Sequence, residues 1–439
     1  MSKKNENTPL YDEFMRGVFT IYQSSDSAKA SLIRNRTFMF FLASIIFTSL
    51  TTPMYMLIES WYVVDYLNMP TMLGIVLMVT AIPRVLLMTV GGVLSDRFSK
   101  TKIMFFSDFM RFILLISMAV LFTIGQLTFG VLLAFAAIFG ILEAFYWPAS
   151  SSIIPTLVAP DQLRTANSLN VIIQQLGMFA GPAAAGLVLT FGSFQLSFIT
   201  LGILLLIGAI CLFLVREPIQ SRSNRRASMW LEMNEGLRYV CRDPFKMSVI
   251  VTVGIASFFI SGPVNVAFPT LVKEVFQGTA MDLTYLQVSF AAGSILGGLM
   301  LVVFRLKGNM TLRAYAAFIL LCLGIVALGW VDQLLYAVII SGCAGMISAY
   351  ANMLLLTVFQ LSLDQDKLGR GMSVFTVAST GLYPLSTGLV PVLLISGWSI
   401  SEILRISGMM AGGFLIVVVL SVRALRAGAP AAASLNADD

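Results

Sequence analysis

Ionisable side chains lie inside long apolar runs of this chain, among them Glu59, Arg84 and Glu143. Placing a charge near the middle of a bilayer costs about 2.5–3.5 kcal/mol even on a lenient insertion scale. Such residues are retained where they form ion pairs, carry protons or contact a ligand. These three are therefore the first candidates for substrate contact or proton coupling.

Arg84 and Glu143 are expected at similar depth in two different runs. Arg84 follows Pro70 by 14 residues, and Glu143 follows Thr128 by 15 residues. At 1.5 Å per helical residue these separations are about 21 Å and about 22 Å. Both runs begin at the same face of the membrane, so the two side chains are expected to pair. The pair is either a structural ion pair or a coupling site, and the sequence leaves both open.

Glu59 occupies a different position in its run. It lies 21 residues after Phe38, about 32 Å along a helix, which places it near the outer end. Trp61 and Tyr62 follow it, and such aromatic residues are enriched at membrane interfaces. Glu59 is thus a candidate either for substrate or proton contact or for the structure of an outer gate or interface.

Asp108 and Arg111 form a second charged group, three residues apart and therefore on one helical face. They follow shortly after a charged loop that contains Asp96 and Arg97. We expect them to form a charge relay with that loop that stabilises one conformational state, in preference to contacting substrate.

Residue types also exclude several chemistries. The chain has no histidine, which excludes His-based zinc sites and His proton relays. Its cysteines show no paired spacing, so neither a disulfide framework nor a metal site is predicted. No Walker loop, glycine-rich dinucleotide turn or catalytic constellation is present, so no cofactor and no enzyme activity is expected. Any proton carrier must be Asp or Glu.

Membrane helices must position these residues. The 439 residues are 58% hydrophobic and 11% charged, with a mean hydropathy of +0.88, which excludes a soluble globular protein with a separate anchor. Twelve apolar runs are long enough to cross a bilayer as α-helices, whereas a barrel would show short alternating strands. The predicted spans are 38–64, 71–94, 103–124, 129–149, 168–191, 194–215, 247–272, 283–304, 315–330, 334–361, 372–395 and 400–422.

Basic residues predict the orientation of these spans. With both termini in the cytoplasm, sixteen Lys and Arg residues lie in inner loops, and Lys273 alone lies in an outer loop. This is a strong positive-inside bias. The net charge of +6 is therefore attributed to topology and to contact with anionic lipid head groups, and not to nucleic-acid binding.

Polar stretches divide the chain into two sets of six spans, 36–216 and 246–425. Residues 1–35 are expected to be a cytoplasmic extension, since no cleavage pattern follows the first apolar run. Residues 217–245 form a cytoplasmic central loop with an amphipathic segment, and 426–439 form a cytoplasmic tail.

The second span ends in two glycines followed by a dense charge cluster. Glycines allow helix ends to pack closely, and the segment resembles the signature loop between the second and third helices of the major facilitator superfamily. The resemblance implies alternating-access transport by an all-α integral membrane protein with twelve helices in two six-helix bundles. It also implies that the loop aspartate contacts the other half in one access state. The pattern is filled by Gly91 or Gly92, Asp96, Arg97, Lys100 and Lys102.

Weak internal similarity supports a duplication. Gly297-Gly298 ends the eighth span, and Arg305 and Lys307 follow, although this second copy lacks the aspartate. Such duplication implies two bundles related by a pseudo-two-fold axis along the membrane normal, with a substrate path between them.

The fifth span carries a small-residue face at Gly177, Gly181, Pro182 and Gly186. Small residues permit close helix approach, and the proline removes one backbone hydrogen bond. The face resembles a motif of major facilitator exporters, with Ala185 where a second terminal glycine is usual. The resemblance implies that helices five and eight face one another across the halves, so we expect Gly181 to lie between them. Ordinary tight packing is the alternative.

Four further segments resemble the branch of the superfamily that contains macrolide-efflux and enterobactin-exporter-like proteins. This resemblance implies a monomeric exporter of the bacterial cell membrane, the inner membrane in a Gram-negative cell. Its cargo is expected to be an amphipathic small molecule, such as a drug, macrolide or siderophore-like compound, exchanged for protons. The alternatives are a lipid or lysolipid flippase, an importer, or a receptor that binds ligand without moving it. The segments are 143–149, 154–158, 162–169 and 369–373.

Overall fold

The computed structural model describes residues 32, 34–217, 229–303 and 309–421. Within them there is no β-strand, and twelve helices are long and apolar enough to cross a membrane. The predicted number of spans is thereby confirmed. The helices are α1 (Arg36–Tyr66), α2 (Pro70–Arg97), α3 (Lys100–Thr123), α4 (Phe129–Leu157), α5 (Pro160–Phe191), α6 (Phe194–Phe213), α7 (Pro244–Val275), α8 (Ala280–Leu301), α9 (Met310–Leu328), α10 (Leu334–Ser362), α11 (Gln365–Ile395) and α12 (Ile400–Ser421).

Some predicted segments fall on residues outside this description. The N-terminal extension does so for all but its last few residues, and the tail 426–439 does so entirely. The predicted basic pair Arg305 and Lys307 also lies outside the described residues.

Helices α4 and α5 extend beyond the apolar runs that predicted them. α4 continues to Leu157, past the predicted end at Ala149, and α5 begins at Pro160, before the predicted start at Ser168. The intervening residues are polar enough to end an apolar run, but their backbone groups continue the helical hydrogen bonds. Hydropathy therefore predicted the apolar part of each helix. It missed the last turns of α4 and the first turns of α5.

The same helix pairings recur six helices apart. α2 packs along α4 as α8 packs along α10, and α3 packs along α6 as α9 packs along α12. α1 contacts α5 and α6, as α7 contacts α11 and α12. The chain thus forms two six-helix bundles, an N-terminal half (α1–α6) and a C-terminal half (α7–α12).

The duplicated glycines make equivalent contacts in the two halves. A Cβ atom added at Gly91 would overlap the backbone of Ala144 in α4. One added at Gly297 would overlap the backbone of Met346 in α10. Because neither position can hold a side chain without moving the neighbouring helix, the glycines set the closest approach of both helix pairs.

The two halves meet through α5 with α8 and through α2 with α11. The α2 contact is concentrated in Tyr383–Ile395, the second part of α11. We call the end of the molecule that carries Asp96 the loop end, and the opposite end, where the halves meet, the closed end. At the loop end, a Cβ atom added at Gly92 or Gly369 would meet no described atom within 4 Å.

A short linker helix, Met229–Cys241, joins the halves and docks on the C-terminal half. Glu235 forms a 3.0 Å ion pair with Arg370 of α11. The ring of Tyr239 lies 4.1 Å from Nζ of Lys246 and 4.8 Å from Nζ of Lys367. The amphipathic segment predicted in the central loop is therefore confirmed as a helix.

Candidate functional site

The predicted pairing of Arg84 with Glu143 is confirmed by a 3.3 Å ion pair between α2 and α4. Close packing of the two helices places these side chains together. A Cβ atom added at Gly140, one turn before Glu143, would overlap the carbonyl of Thr80, one turn before Arg84. The Glu143 side chain is buried, whereas 42% of the Arg84 side chain is exposed.

Glu143 also faces a second arginine. Nη1 of Arg111 lies 3.9 Å from Oε1 of Glu143, and both side chains are buried. Nη2 of Arg111 donates to Oδ1 of Asp108 at 2.5 Å, and Thr48 of α1 donates to the other Asp108 oxygen at 3.0 Å. Asp108, Arg111, Glu143 and Arg84 thus form one charge network across α2, α3 and α4, tied to α1 through Thr48.

Aromatic rings enclose the Arg111 guanidinium. Its central carbon lies 4.8 Å from the Tyr146 ring centroid and 5.4 Å from the Phe139 ring centroid. Cation–π contact of this kind stabilises a desolvated arginine. Two atoms of the network, Nη1 of Arg111 and Oε1 of Glu143, are buried without a hydrogen-bond partner among the described residues. Nη1 of Arg111 can therefore donate a further hydrogen bond, and Oε1 of Glu143 can accept one.

In this arrangement of the halves, Asp108 and Arg111 bond inside the N-terminal half and make no hydrogen bond or ion pair with the described residues of the signature loop. Both side chains are fully buried and bond to Thr48 and Glu143 inside the N-terminal half. Asp96 is exposed and makes no hydrogen bond or ion pair with a described residue. The sequence gives the height of Asp108 in its helix but not the direction in which its side chain points.

Glu59 is buried inside the N-terminal half, with 1% of its surface exposed. Tyr55 donates to Glu59 Oε1 at 2.6 Å, and the Tyr55 ring stacks on Phe139 at 4.1 Å. Glu59 lies within electrostatic range of Glu143. Both alternatives left by the sequence, substrate or proton contact and the structure of an outer gate or interface, therefore remain predictions.

One side chain of the C-terminal half lies near this cluster, on the part of α11 that packs against α2, and makes no hydrogen bond or ion pair with the cluster's described residues. Tyr383 of α11 lies within electrostatic range of Arg84 and Glu59. The exposed part of Arg84 is therefore close to the boundary between the halves. The charge network belongs to the N-terminal half, but one of its edges faces the other half.

The signature loop packs through one of its two glycines. Gly91 is buried against α4, whereas Gly92 has open space beside it, so Gly91 fills the packing role. Arg97, like Asp96, is exposed, and Lys100 is buried. The loop aspartate and arginine are thus available to another surface in a different arrangement of the halves.

Glu217, whose side chain caps the N-terminus of α3, was not identified from the sequence. One oxygen of its carboxylate accepts hydrogen bonds from Ser99 Oγ at 2.6 Å and from the backbone N–H of Thr101 at 3.2 Å. A carboxylate at a helix N-terminus also interacts favourably with the helix dipole. In the sequence, the position of Glu217 two residues after the predicted end of the sixth span was the feature that could have indicated this contact.

The small-residue face of α5 contacts two different partners. Added Cβ atoms at Gly177 and Gly181 would overlap α1, at Ser49 and Pro53 respectively, and Pro182 is buried beside them. Only Gly186 faces the other half, where an added Cβ atom would overlap Thr284 of α8. The expectation that Gly181 lies between the halves is therefore wrong, and Gly186 occupies that place.

The glycines of α8 also pack inside their own half. Added Cβ atoms at Gly293 and Gly297 would overlap Gly342 and Met346 of α10, within the C-terminal half. Glycine spacing predicts which helix has a close neighbour, but it does not identify the neighbour.

An ion pair that the sequence did not predict joins the halves at the closed end. Nζ of Lys273 lies 2.6 Å from Oδ1 of Asp65. Both residues lie in π-helical final turns, Tyr62–Tyr66 of α1 and Leu271–Val275 of α7. Both side chains are about one-third exposed.

Residues 38–387 match the Major Facilitator Superfamily. Macrolide efflux protein A of Streptococcus pyogenes is 26% identical over 294 residues, covering 64% of this chain and 71% of that protein. The staphyloferrin A transporter of Staphylococcus aureus is 23% identical over 341 residues, covering 76% of this chain and 83% of the transporter.

Solved structures show the same fold at low sequence identity. A POT family transporter in complex with 5-aminolevulinic acid has a TM-score of 0.66 at 13% identity, covering 89% of this chain and 96% of its own. A D-xylose-proton symporter has a TM-score of 0.63 at 14% identity, covering 88% and 97%. The family and these relatives are transporters and not enzymes. With its twelve spans and the match over most of its length, the chain belongs to the major facilitator superfamily.

Proposed function

We propose that this transporter exports an amphipathic small molecule in exchange for protons, by alternating access. The observation that carries the proposal is the position of Glu143, a buried carboxylate between a buried arginine and a half-exposed one. Names of relatives support efflux and narrow the cargo to macrolide-like or siderophore-like compounds. With the basic loops in the cytoplasm, the loop end faces inward and the bundle is open to the cytoplasm.

In the proposed exchange, the cargo and a proton compete for the Glu143 carboxylate. Its Oε1 atom has no hydrogen-bond partner among the described residues, so a donor group on the cargo has an acceptor there. A protonated Glu143 presents one fewer acceptor oxygen and loses its attraction to Arg84. Cargo binding therefore favours the ionised carboxylate and releases its proton, and proton uptake on the other side releases the cargo.

Rocking of the halves acts on this site through the boundary. Arg84 and Glu143 belong to the same half, and their helices are locked at Gly91 and Gly140, so rigid-body motion leaves their separation unchanged. Tyr383 belongs to the other half and moves relative to Arg84. The opening and closing of the cleft thus changes the surroundings of Arg84, and through Arg84 the stability of ionised Glu143.

Proton release on addition of a macrolide to detergent-purified protein tests the proposal. Wild-type protein is expected to release protons, and Glu143→Gln to bind the macrolide without releasing them. In proteoliposomes, Arg84→Ala is expected to shift the pH dependence of transport. Glu402→Gln, an exposed carboxylate in α12, is the matched control and should behave as wild type. Equal release from wild type and Glu143→Gln would pass the role of carrier to Glu59 or Asp108.

A further inference from the structure

A polar cavity of about 80 Å³ lies inside the C-terminal half, beside the π-helical segment Ala256–Ser261 of α7. Among the described residues no charged side chain lines it. Phe318 and Leu321 of α9 contribute to an apolar wall. Its polar lining comes from α7, α10 and α11: Ser257, Ser261, Ser348, Asn352 and Ser379.

Ser257 has unused hydrogen-bonding capacity in this cavity. It is 4% exposed, and its hydroxyl has no partner among the described residues. An unpaired buried hydroxyl lowers stability. Two neighbouring side chains use donors and keep acceptors. Ser379 donates to the backbone carbonyl of Thr376, and Asn352 donates to that of Ser348, which leaves the oxygen atoms of both side chains able to accept. The cavity therefore offers a free donor at Ser257 and several free acceptor positions.

The cavity shares a helix with the boundary between the halves. Ser379 lies four residues before Tyr383 on α11, and the helix is interrupted at Leu382 between them. Tyr383 lies within electrostatic range of Arg84 and Glu59. Asn352 and Ser261 are exposed, so the cavity is not sealed. α11, which contributes Ser379 to the cavity, packs against α2, which carries Arg84.

We propose that this cavity is a subsite for an uncharged, hydroxylated group of the cargo, such as the hydroxyl-bearing edge of a sugar ring. The share of liquid volume taken by one water molecule is about 30 Å³, so the cavity admits two or three groups of hydroxyl size. The inference rests on the proposed function: the proton-competing group of the cargo lies at Glu143, and its hydroxylated end lies in the cavity.

The variant Ser257→Ala tests whether the Ser257 hydroxyl contacts the ligand or only stabilises the fold. The probes are a glycosylated macrolide and its sugar-free macrolactone, with equilibrium binding measured in lipid nanodiscs. We expect the variant to bind the glycosylated probe about two- to tenfold more weakly, the effect of one lost hydrogen bond. Its affinity for the macrolactone should be unchanged. Its melting temperature without ligand should equal or exceed that of wild type, because an unpaired buried hydroxyl has been removed.

A matched pair on α11 controls for general effects. Ser379→Ala should share the selective loss, and Ser373→Ala, an exposed serine bonded to its own helix, should not. Equal losses for both probes, no loss for either, or no wild-type preference for the glycosylated compound would overturn the subsite. Flux without a sugar preference would leave export standing and remove the subsite. Sugar-selective binding without flux would leave the subsite and remove export.

Discussion

At the scale of single residues, the two arginines around Glu143 have different roles. Arg111 is fully buried between Asp108 and Glu143, whereas Arg84 is 42% exposed and, among the described residues, forms an ion pair with Glu143 alone. Arg111 therefore holds the network together, and Arg84 is the member that responds to its surroundings.

Replacing each arginine with methionine tests this division. Arg111→Met leaves Asp108 buried without its cation, and removing one partner of a buried pair costs about 3–5 kcal/mol. Arg84→Met should cost about 1 kcal/mol or less, because exposed ion pairs contribute little and Glu143 keeps Arg111. Unfolding of both variants in one detergent measures the difference. Equal destabilisation would show that Arg84 is structural too.

Depth counting predicted part of this network. It placed Arg84 opposite Glu143 because both helices start at the same face and rise 1.5 Å per residue. It placed Glu59 near the end of its helix, and Glu59 lies seven residues, about 10 Å, before the end of α1 at Tyr66; it could not show that the side chain is buried. It could not link Arg111 to Glu143, since side-chain direction depends on how α3 and α4 pack.

At the scale of helices, α5 carries two kinds of contact on one small-residue face. Gly181 fits against α1 within the N-terminal half, and Gly186 fits against α8 of the other half. The glycine motif was visible in the sequence, but its division between two partners was not, because spacing carries no information on which helix lies opposite.

Two leucine substitutions separate these contacts. Gly181→Leu should lower the melting temperature, because the side chain would displace α1. Gly186→Leu should leave each half folded and force the closed end apart at Thr284. Maleimide labelling of Thr387→Cys, a buried position at the closed end, measures opening in a cysteine-free background. Labelling that rises in Gly181→Leu but not in Gly186→Leu would reverse the assignment.

The signature loop makes a separate prediction. Asp96→Asn should leave stability within about 0.5 kcal/mol of wild type, as surface substitutions do, because Asp96 is exposed and makes no hydrogen bond or ion pair with the part of the chain that the structure describes. Transport should fall, since we propose that Asp96 contacts the other half when the loop end closes. Asp161→Asn, an exposed aspartate of the α4–α5 connection, is the control. Full transport by Asp96→Asn would remove this role.

At the scale of the whole molecule, the halves meet at one end, and the pair Asp65–Lys273 joins them there. An ion pair whose side chains are about one-third exposed contributes about 1 kcal/mol or less. The pair therefore adjusts the balance between two access states without fixing either one.

Charge reversal tests the pair. Asp65→Lys should increase labelling of Thr387→Cys by up to about fivefold, the equivalent of about 1 kcal/mol. The double variant Asp65→Lys with Lys273→Asp should restore labelling, because the attraction is re-formed with opposite polarity. If the double variant labels as strongly as the single one, the pair does not hold the closed end.

The whole-molecule plan was predictable from the sequence to the level of twelve spans and a duplication. Apolar run lengths and the second Gly-Gly pair carried that information, and the Gly91 and Gly297 contacts agree with it. Which end of the molecule is closed was not predictable, because run lengths and glycine spacing carry no information on how the two halves contact one another.

The most direct test of the account is macrolide uptake by proteoliposomes under an imposed pH gradient. Inside-out vesicles with an acidic lumen should accumulate the macrolide, and a protonophore should abolish the accumulation. Glu143→Gln should bind the macrolide and fail to accumulate it, whereas Glu402→Gln should match wild type. Accumulation by wild type that is indifferent to the gradient, or gradient-driven accumulation by Glu143→Gln equal to wild type, would contradict proton-coupled export through Glu143.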